Sequence, residues 1–142
     1  MNLHRMERAL KSLGRARGEI TAVYLFGSQV SGKAGPLSDV DVAVLLDESR
    51  VPARRFFKLR LDLMAEAAHA CRRDDVDVIL LNEAAPLLAY EAVRGGELLY
   101  ERDHSARVSF EARVVQQYLD LEPFYRVGRR YLRQQLISAR HG

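Results

Sequence analysis

Residues 27–41 read GSQVSGKAGPLSDVD. An apolar run, Ala22 to Phe26, ends abruptly at Gly27-Ser28. Ten mixed residues follow, rich in Gly and Ser with one Pro, before Asp39-Val40-Asp41 leads into a second apolar run, Val42 to Leu46. Two strand-like segments therefore flank a polar loop with a small, donor-rich start and a paired-carboxylate end. Asp is depleted in strands. Two Asp at period 2 at the mouth of a buried strand break a local rule, and such breaks are expected at functional sites.

Outward from that loop, Leu3, Met6, Leu10 and Leu13 recur at spacings of three and four and predict a helix over residues 3–16. The near-continuous apolar run of residues 19–26 predicts a strand buried on both faces. Ser28 could cap a short helix over 28–34, and Gly35-Pro36 breaks the chain. The second strand spans about 40–46. Phe56, Leu59, Leu63 and Ala67 share one face of a helix predicted over 52–72, with Pro52 in its first turn and Arg54, Arg55, Lys58, Arg60 and Arg72 largely elsewhere. Val76 to Leu81 repeats the pattern of the second strand, with Asp77 at its mouth. Pro86 starts a short helix to Arg94, Gly95-Gly96 stops it, and residues 97–101 form an edge strand. Residues 103–139 are helical in pattern. Their stripe of Phe110, Val114, Tyr118 and Leu121 reads as core closing over the sheet. Pro123 should kink or restart the helix, and Tyr125, Tyr131, Leu132 and Leu136 continue beyond it among Arg126, Arg129, Arg130 and Arg133.

This order carries a geometry. The end of the first strand and the start of the second meet only if those strands run antiparallel. Asp41 and Asp77 meet if the second and third strands are parallel, which the roughly 30-residue helical crossover permits. A mixed sheet then gathers Gly27, Ser28, Asp39, Asp41 and Asp77 at one end, with Asp39 and Asp41 on one face. Three carboxylates about 5 Å apart repel by roughly 3 kcal/mol per pair at an effective dielectric of 20, so the cluster calls for a cation. Oxygen-only donors favour Mg²⁺ or Mn²⁺ over zinc. A Gly-Ser turn offers backbone and hydroxyl donors to phosphate. Carboxylates and bound metal facing a phosphate cradle are the layout for phosphoryl or nucleotidyl transfer. Separately, an Asp-x-Asp before a strand or a Gly-Ser after one is ordinary turn chemistry; their joint spacing is what matters.

Bulk properties set the frame. The chain of 142 residues favours one domain, 1–142, with a C-terminal helical segment at about 103–140. Its longest apolar runs are far too short for a membrane span, and its N-terminus lacks the apolar stretch of a signal peptide. The single cysteine, Cys71, allows no intramolecular disulfide and fits a reducing, cytoplasmic location. A net charge of +3 is no nucleic-acid signature, and no direct nucleic-acid or membrane binding is expected.

Gly27-Ser28, ten residues, Asp39-x-Asp41 and a later strand bearing Asp77 resemble the nucleotidyltransferase fold of the DNA polymerase β superfamily. The small size and the stretches from Leu81-Asn82 to Pro86 and from Gly95 to Asp103 resemble its minimal nucleotidyltransferases (MNT), antitoxins paired with HEPN toxins. The resemblance covers about residues 19–125. It implies an α/β (α+β) fold: a small mixed sheet with an α-β-α-β-α-β core, helices packed on it and a C-terminal helix. It further implies ATP with its triphosphate at Gly27 and Ser28, two Mg²⁺ ions on Asp39, Asp41 and Asp77, and transfer of AMP to a tyrosine of a HEPN partner, which is thereby silenced. In the family the loop after Ser28 is often richer in Arg. Here Lys33, or an arginine from elsewhere, is left as the triphosphate's cation. Two other readings stand beside this one: a non-catalytic antitoxin acting by contact, and a transferase for a small molecule such as an antibiotic.

Overall fold

The computed structural model describes residues 3–27 and 39–141. The elements are α1 (Leu3–Ala16), β1 (Ile20–Phe26), β2 (Val40–Leu46), a 3-10 turn (Ala53–Arg55) leading into α2 (Phe56–Cys71), β3 (Val76–Leu80), a second 3-10 turn (Leu81–Glu83), α3 (Pro86–Gly95), β4 (Glu97–Glu101) and α4 (His104–His141). The strands form one mixed sheet in the order β3-β2-β1-β4. β1 is antiparallel to both β2 and β4, and β2 is parallel to β3. The helix expected over 28–34 lies outside the described residues.

Period 2 divides the sheet's side chains between two cores. Val40, Val42, Val44 and Leu46 face α1 and α2, where Met6, Leu10, Phe56, Leu59 and Leu63 are buried with them. Tyr24, Phe26, Ala43 and Leu45 face the other way, against Ala89, Ala92 and Val93 of α3 and Val114 of α4. Every residue of β1 is buried, as its unbroken apolar run requires. In β2 six of seven residues are buried, and the exception is Asp41. Asn82 holds the far ends of β2 and β3 together: its side chain accepts from Leu46 N at 2.8 Å and donates to Leu46 O at 3.0 Å. Tyr24, buried in the sheet, donates to Glu111 Oε1 at 2.5 Å and so ties α4 to the central strand. Burial, then this bond to a carboxylate, holds the Tyr24 hydroxyl far above its ordinary pKa.

Three expectations need correction. The last helix does not restart at Pro123 but continues through it to His141. Nor does the whole stripe of α4 close over the sheet. Val114 is buried, Phe110, Tyr118 and Leu121 are half-buried, and from Arg126 to Ser138 every side chain is exposed. The helix beginning at Pro52 is also shorter than expected, because residues 53–55 form the 3-10 turn before α2.

The adjacent glycines that end α3 have different roles. A Cβ on Gly95 would meet nothing, whereas one on Gly96 would overlap the Ala92 carbonyl oxygen and lie 2.9 Å from that of Leu25. Backbone oxygens cannot rotate away. Gly96→Ala should therefore cost about 2–3 kcal/mol, and Gly95→Ala should be neutral or slightly stabilising, since alanine is the better helix former by roughly 1 kcal/mol. Paired urea denaturation curves check this contrast; equal midpoints for the two variants would contradict it.

Candidate active site

The site lies where β1 ends and β2 and β3 begin. Antiparallel pairing sets Phe26 opposite Asp41, and parallel pairing sets Asp41 opposite Asp77. Two carboxylates therefore stand on adjacent strands, on the sheet face that α3 partly covers. Gly27 follows Phe26 with φ +79°, and a Cβ there would overlap Asp41 Oδ2. The chain thus turns away from β1 in a left-handed conformation that glycine adopts without steric penalty, leaving room for the Asp41 carboxylate.

A cleft of about 730 Å³ opens over these residues. Phe26, Gly27, Asp41, Asp77 and Ile79 line it from the sheet, and Leu88, Tyr90, Glu91, Arg94 and Gly95 line it from α3. Asp39 is exposed and is not part of this lining, yet its charge reaches Asp41. Burial first, then the charges of Asp77 and Asp39, raise the Asp41 pKa above its ordinary value. Asp75, also on the Asp77 face by period 2, is committed elsewhere. Its carboxylate accepts from Arg73 at 2.7 and 2.6 Å, which lowers its pKa. Ser28 and Lys33 lie outside the described residues.

Four lining or bordering residues were not among the sequence candidates. Arg60 of α2 donates to Val78 O at 2.6 Å and to Asp77 Oδ1 at 3.2 Å, so it anchors to the β3 backbone and holds the third carboxylate. Its signal in the sequence was faint: an arginine four residues after Phe56, beside the buried stripe. Tyr90, Glu91 and Arg94 enter only because α3 folds back over the strand ends. Arg94 forms no ion pair or hydrogen bond among the described residues and gives the cleft a cation independent of the loop.

The donor set was tested against a divalent metal. Among the described residues no three His, Cys, Asp or Glu side chains are grouped closely enough to hold an ion. Asp41 and Asp77 nevertheless share the cleft, and the charges of Asp77 and Asp39 act on Asp41. Oxygen donors of this kind, of which Asp77 is paired with Arg60, fit a hard cation that also takes ligands from water and substrate phosphate. A larger hollow of about 780 Å³ opens at the opposite end of the sheet. Its arginines there already serve the fold: Arg50 and Arg102 both donate to the Gly18 carbonyl.

A mixed sheet with carboxylates at its strand mouths, a glycine turn beside them and a helix roofing the cleft defines the nucleotidyltransferase class of fold. The chain belongs to the family described as polymerase beta nucleotidyltransferase, whose model matches residues 8–105. Among curated proteins it is 28% identical over 95 residues to the protein adenylyltransferase MntA of Aphanizomenon flos-aquae (strain 2012/KM1/D3), a match spanning 64% of this chain and 63% of that protein's length. Among solved structures it is similar to a chain of a toxin-antitoxin crystal structure with AMP-PNP (TM-score 0.67, 24% identity, covering 92% of this chain and 98% of that one). It is also similar to a chain of the complex of tri-AMPylated Shewanella oneidensis HEPN toxin with MNT antitoxin (TM-score 0.60, 23% identity, covering 93% and 96%). These likenesses confirm the fold expected from the sequence.

Arg60→Ala should leave the fold intact, because the side chain is only half-buried and makes one backbone and one carboxylate contact. Without it Asp77 loses its fixed position. If Asp77 holds a metal ion, nucleotidyl transfer should fall roughly 10-fold to 100-fold, the usual cost of removing a group that orients such a ligand. Steady-state transfer assays on the purified variant check this, and Arg60→Lys should recover little, since lysine lacks the planar fork.

Proposed function

We propose that this protein is a metal-dependent nucleotidyltransferase that moves AMP from ATP to a tyrosine hydroxyl of a HEPN-domain toxin, silencing it, and so acts as an antitoxin. The observation that carries this reading is the pairing of Asp41 with Asp77 at the floor of a cleft whose wall is the left-handed Gly27 turn. Its 28% identity to a protein adenylyltransferase supports it, as do the AMP-PNP in one similar structure and the AMPylated toxin in another. The chain would act as a single minimal nucleotidyltransferase domain in the cytoplasm. In keeping with this, no helix among the described residues is long and apolar enough to cross a membrane.

In this reading Asp39, Asp41 and Asp77 would hold two Mg²⁺ ions, and bound metal would supply charge stabilisation to the transfer. Gly27 and Ser28 present backbone and hydroxyl donors to the triphosphate, with Lys33 or Arg94 as its cation. Arg60 keeps Asp77 in place. The acceptor oxygen attacks the α-phosphorus in line, the bond to the β-phosphate oxygen breaks, and pyrophosphate leaves. Asp77, beside Asp41 at the floor of the cleft, helps take the hydroxyl proton.

The test is label transfer. Purified protein, Mg²⁺ and ATP labelled at the α-phosphate are mixed with the HEPN protein of the same genome, alongside the Asp39→Asn/Asp41→Asn double variant. Label on the partner that disappears with the variant supports the reading. A stable complex that silences the partner without label, unaffected by the double change, would replace it with steric neutralisation.

A further inference from the structure

The distal half of α4 is a conspicuous surface that the catalytic reading leaves unused. The helix is 38 residues long, about 57 Å at 1.5 Å per residue. Its first half is fastened to the body by Val114 in the core, by the Tyr24–Glu111 bond, and by Arg107, which bridges Glu101 at 2.7 Å and Glu111 at 3.0 Å. Beyond Tyr125 nothing in the body covers it. Phe124 is 71% exposed, Val127 64%, Leu132 62% and Leu136 66%.

Exposure on this scale is ordered. At about 100° per residue, Phe124, Val127, Gly128, Tyr131, Leu132 and Leu136 fall within roughly half the circumference. Arg126, Arg129, Arg130 and Arg133 occupy the other half, with Ile137 the one apolar residue among them. Arg126 is paired with Glu122 at 2.8 Å. Arg129, Arg130 and Arg133 make no ion pair among the described residues. No Asp or Glu occurs after Glu122, so the segment is uniformly cationic. An amphipathic helix with a wide apolar arc and a one-sign rim fits a groove, and contiguous exposed apolar surface of this kind marks an interaction site.

The arc is continuous with the cleft. Tyr118 stacks on Tyr90 with ring centroids 3.8 Å apart, and Tyr125 follows at 6.0 Å from Tyr118. Tyr90 lines the cleft. Whatever covers Leu132 and Leu136 therefore lies along the same line of side chains that ends at the lip of the cleft, where a macromolecular acceptor has to sit.

We propose that residues 124–137 form a docking arm for the acceptor protein, whose matching surface is an apolar groove rimmed by Asp and Glu. This rests on the transferase reading above. Charge and breadth single out this occupant. A nucleic acid would contact the arginines and leave the apolar arc in water. A second copy pairing arm to arm would bring a second row of arginines and no carboxylate beyond Glu122 to neutralise it. A bilayer would cover the arc but would offer no acceptor hydroxyl at the cleft.

The arm makes no contact that the body depends on, so its variants should fold. Circular dichroism and thermal midpoints verify this. Two variants are compared with the parent chain, Leu132→Ser/Leu136→Ser and Arg129→Glu/Arg130→Glu/Arg133→Glu, using the HEPN protein of the same genome as probe. Affinity for that protein should fall by at least about 10-fold in each, the size of a hot-spot loss. The KM for the protein acceptor should rise by a similar factor, with kcat and the affinity for a fluorescent ATP analogue little changed. If the parent labels the partner and both variants bind and label it equally well, the arm is not the docking site and the transferase reading stands. If the parent binds without labelling and the variants bind weakly, the arm stands and the transferase reading falls. If the serine variant abolishes self-association in sedimentation, or binding to anionic vesicles, while partner affinity is unchanged, the occupant is a second copy or a membrane and the proposal is overturned.

Discussion

Asp41→Asn should lower AMP transfer by about 10³-fold while leaving the metal-free protein at least as stable as the parent. The two halves of this expectation have one cause. Asp41 is the only residue of β2 that is not buried, and burial together with Asp77 and Asp39 raises its pKa. A carboxyl whose pKa is raised by folding is one whose ionised form the fold disfavours. The fold works against the ionised Asp41 carboxylate, so a neutral isostere removes a repulsion. In the proposed transfer reaction the same charge would offset that of the metal ions. Its loss removes several kcal/mol of charge stabilisation at roughly 1.4 kcal/mol per tenfold. Transfer rates and thermal melting in a chelator check the two halves separately. A variant that loses activity only because it melts several degrees lower would contradict the argument. Asp75→Asn is the matched control. Asp75 is held by Arg73 rather than by the cleft, so transfer should stay within about twofold of the parent, as for ordinary surface changes.

Gly27→Ala should be the most damaging change in the described part of the loop that lies outside the carboxylates. Left-handed φ costs alanine about 1–2 kcal/mol, and the added Cβ would overlap Asp41 Oδ2 while lying 3.3 Å from Cγ. The Asp41 side chain must swing aside, which moves a reacting-centre ligand by an ångström or more. Displacements of that size cost about 10²-fold in rate. Stability by urea titration and transfer rate measure the two effects. Gly27→Asn separates them, since asparagine tolerates the left-handed region but carries the same Cβ. Stability should return in part and activity should not. Recovery of both would show that the backbone conformation, and not the room beside Asp41, is what the glycine provides.

Much of this architecture was legible in the residue order, and for identifiable reasons. The apolar runs of β1 and β2 are long and uninterrupted because both strands are buried on both faces, so their bounds could be read within a residue. The polarity of the sheet was legible as a condition: the candidate residues converge only if β1 and β2 are antiparallel and β2 and β3 parallel, which the helical crossover permits. Under that condition Asp41 lies beside Asp77, as the sheet has it. Arg60 was not legible as a partner of Asp77, because the 17-residue separation carries no periodic signal and the contact arises only where α2 crosses β3. The cleft residues Tyr90, Glu91 and Arg94 were hidden for the same reason.

By itself the sequence determined which segments are strands and helices and which carboxylates stand at strand mouths. These depend on local sterics, on alternation and on the length of chain between elements, all of which are properties of neighbouring residues. Tertiary structure alone decided what covers each face. The stripe along α4 has the same apolar character on both sides of Pro123, yet Val114 is buried under the body and Leu136 is two-thirds exposed. Periodicity reports that a face prefers to leave water. Where the sheet ends, and so whether that face meets this chain or another molecule, depends on distances set by the whole fold.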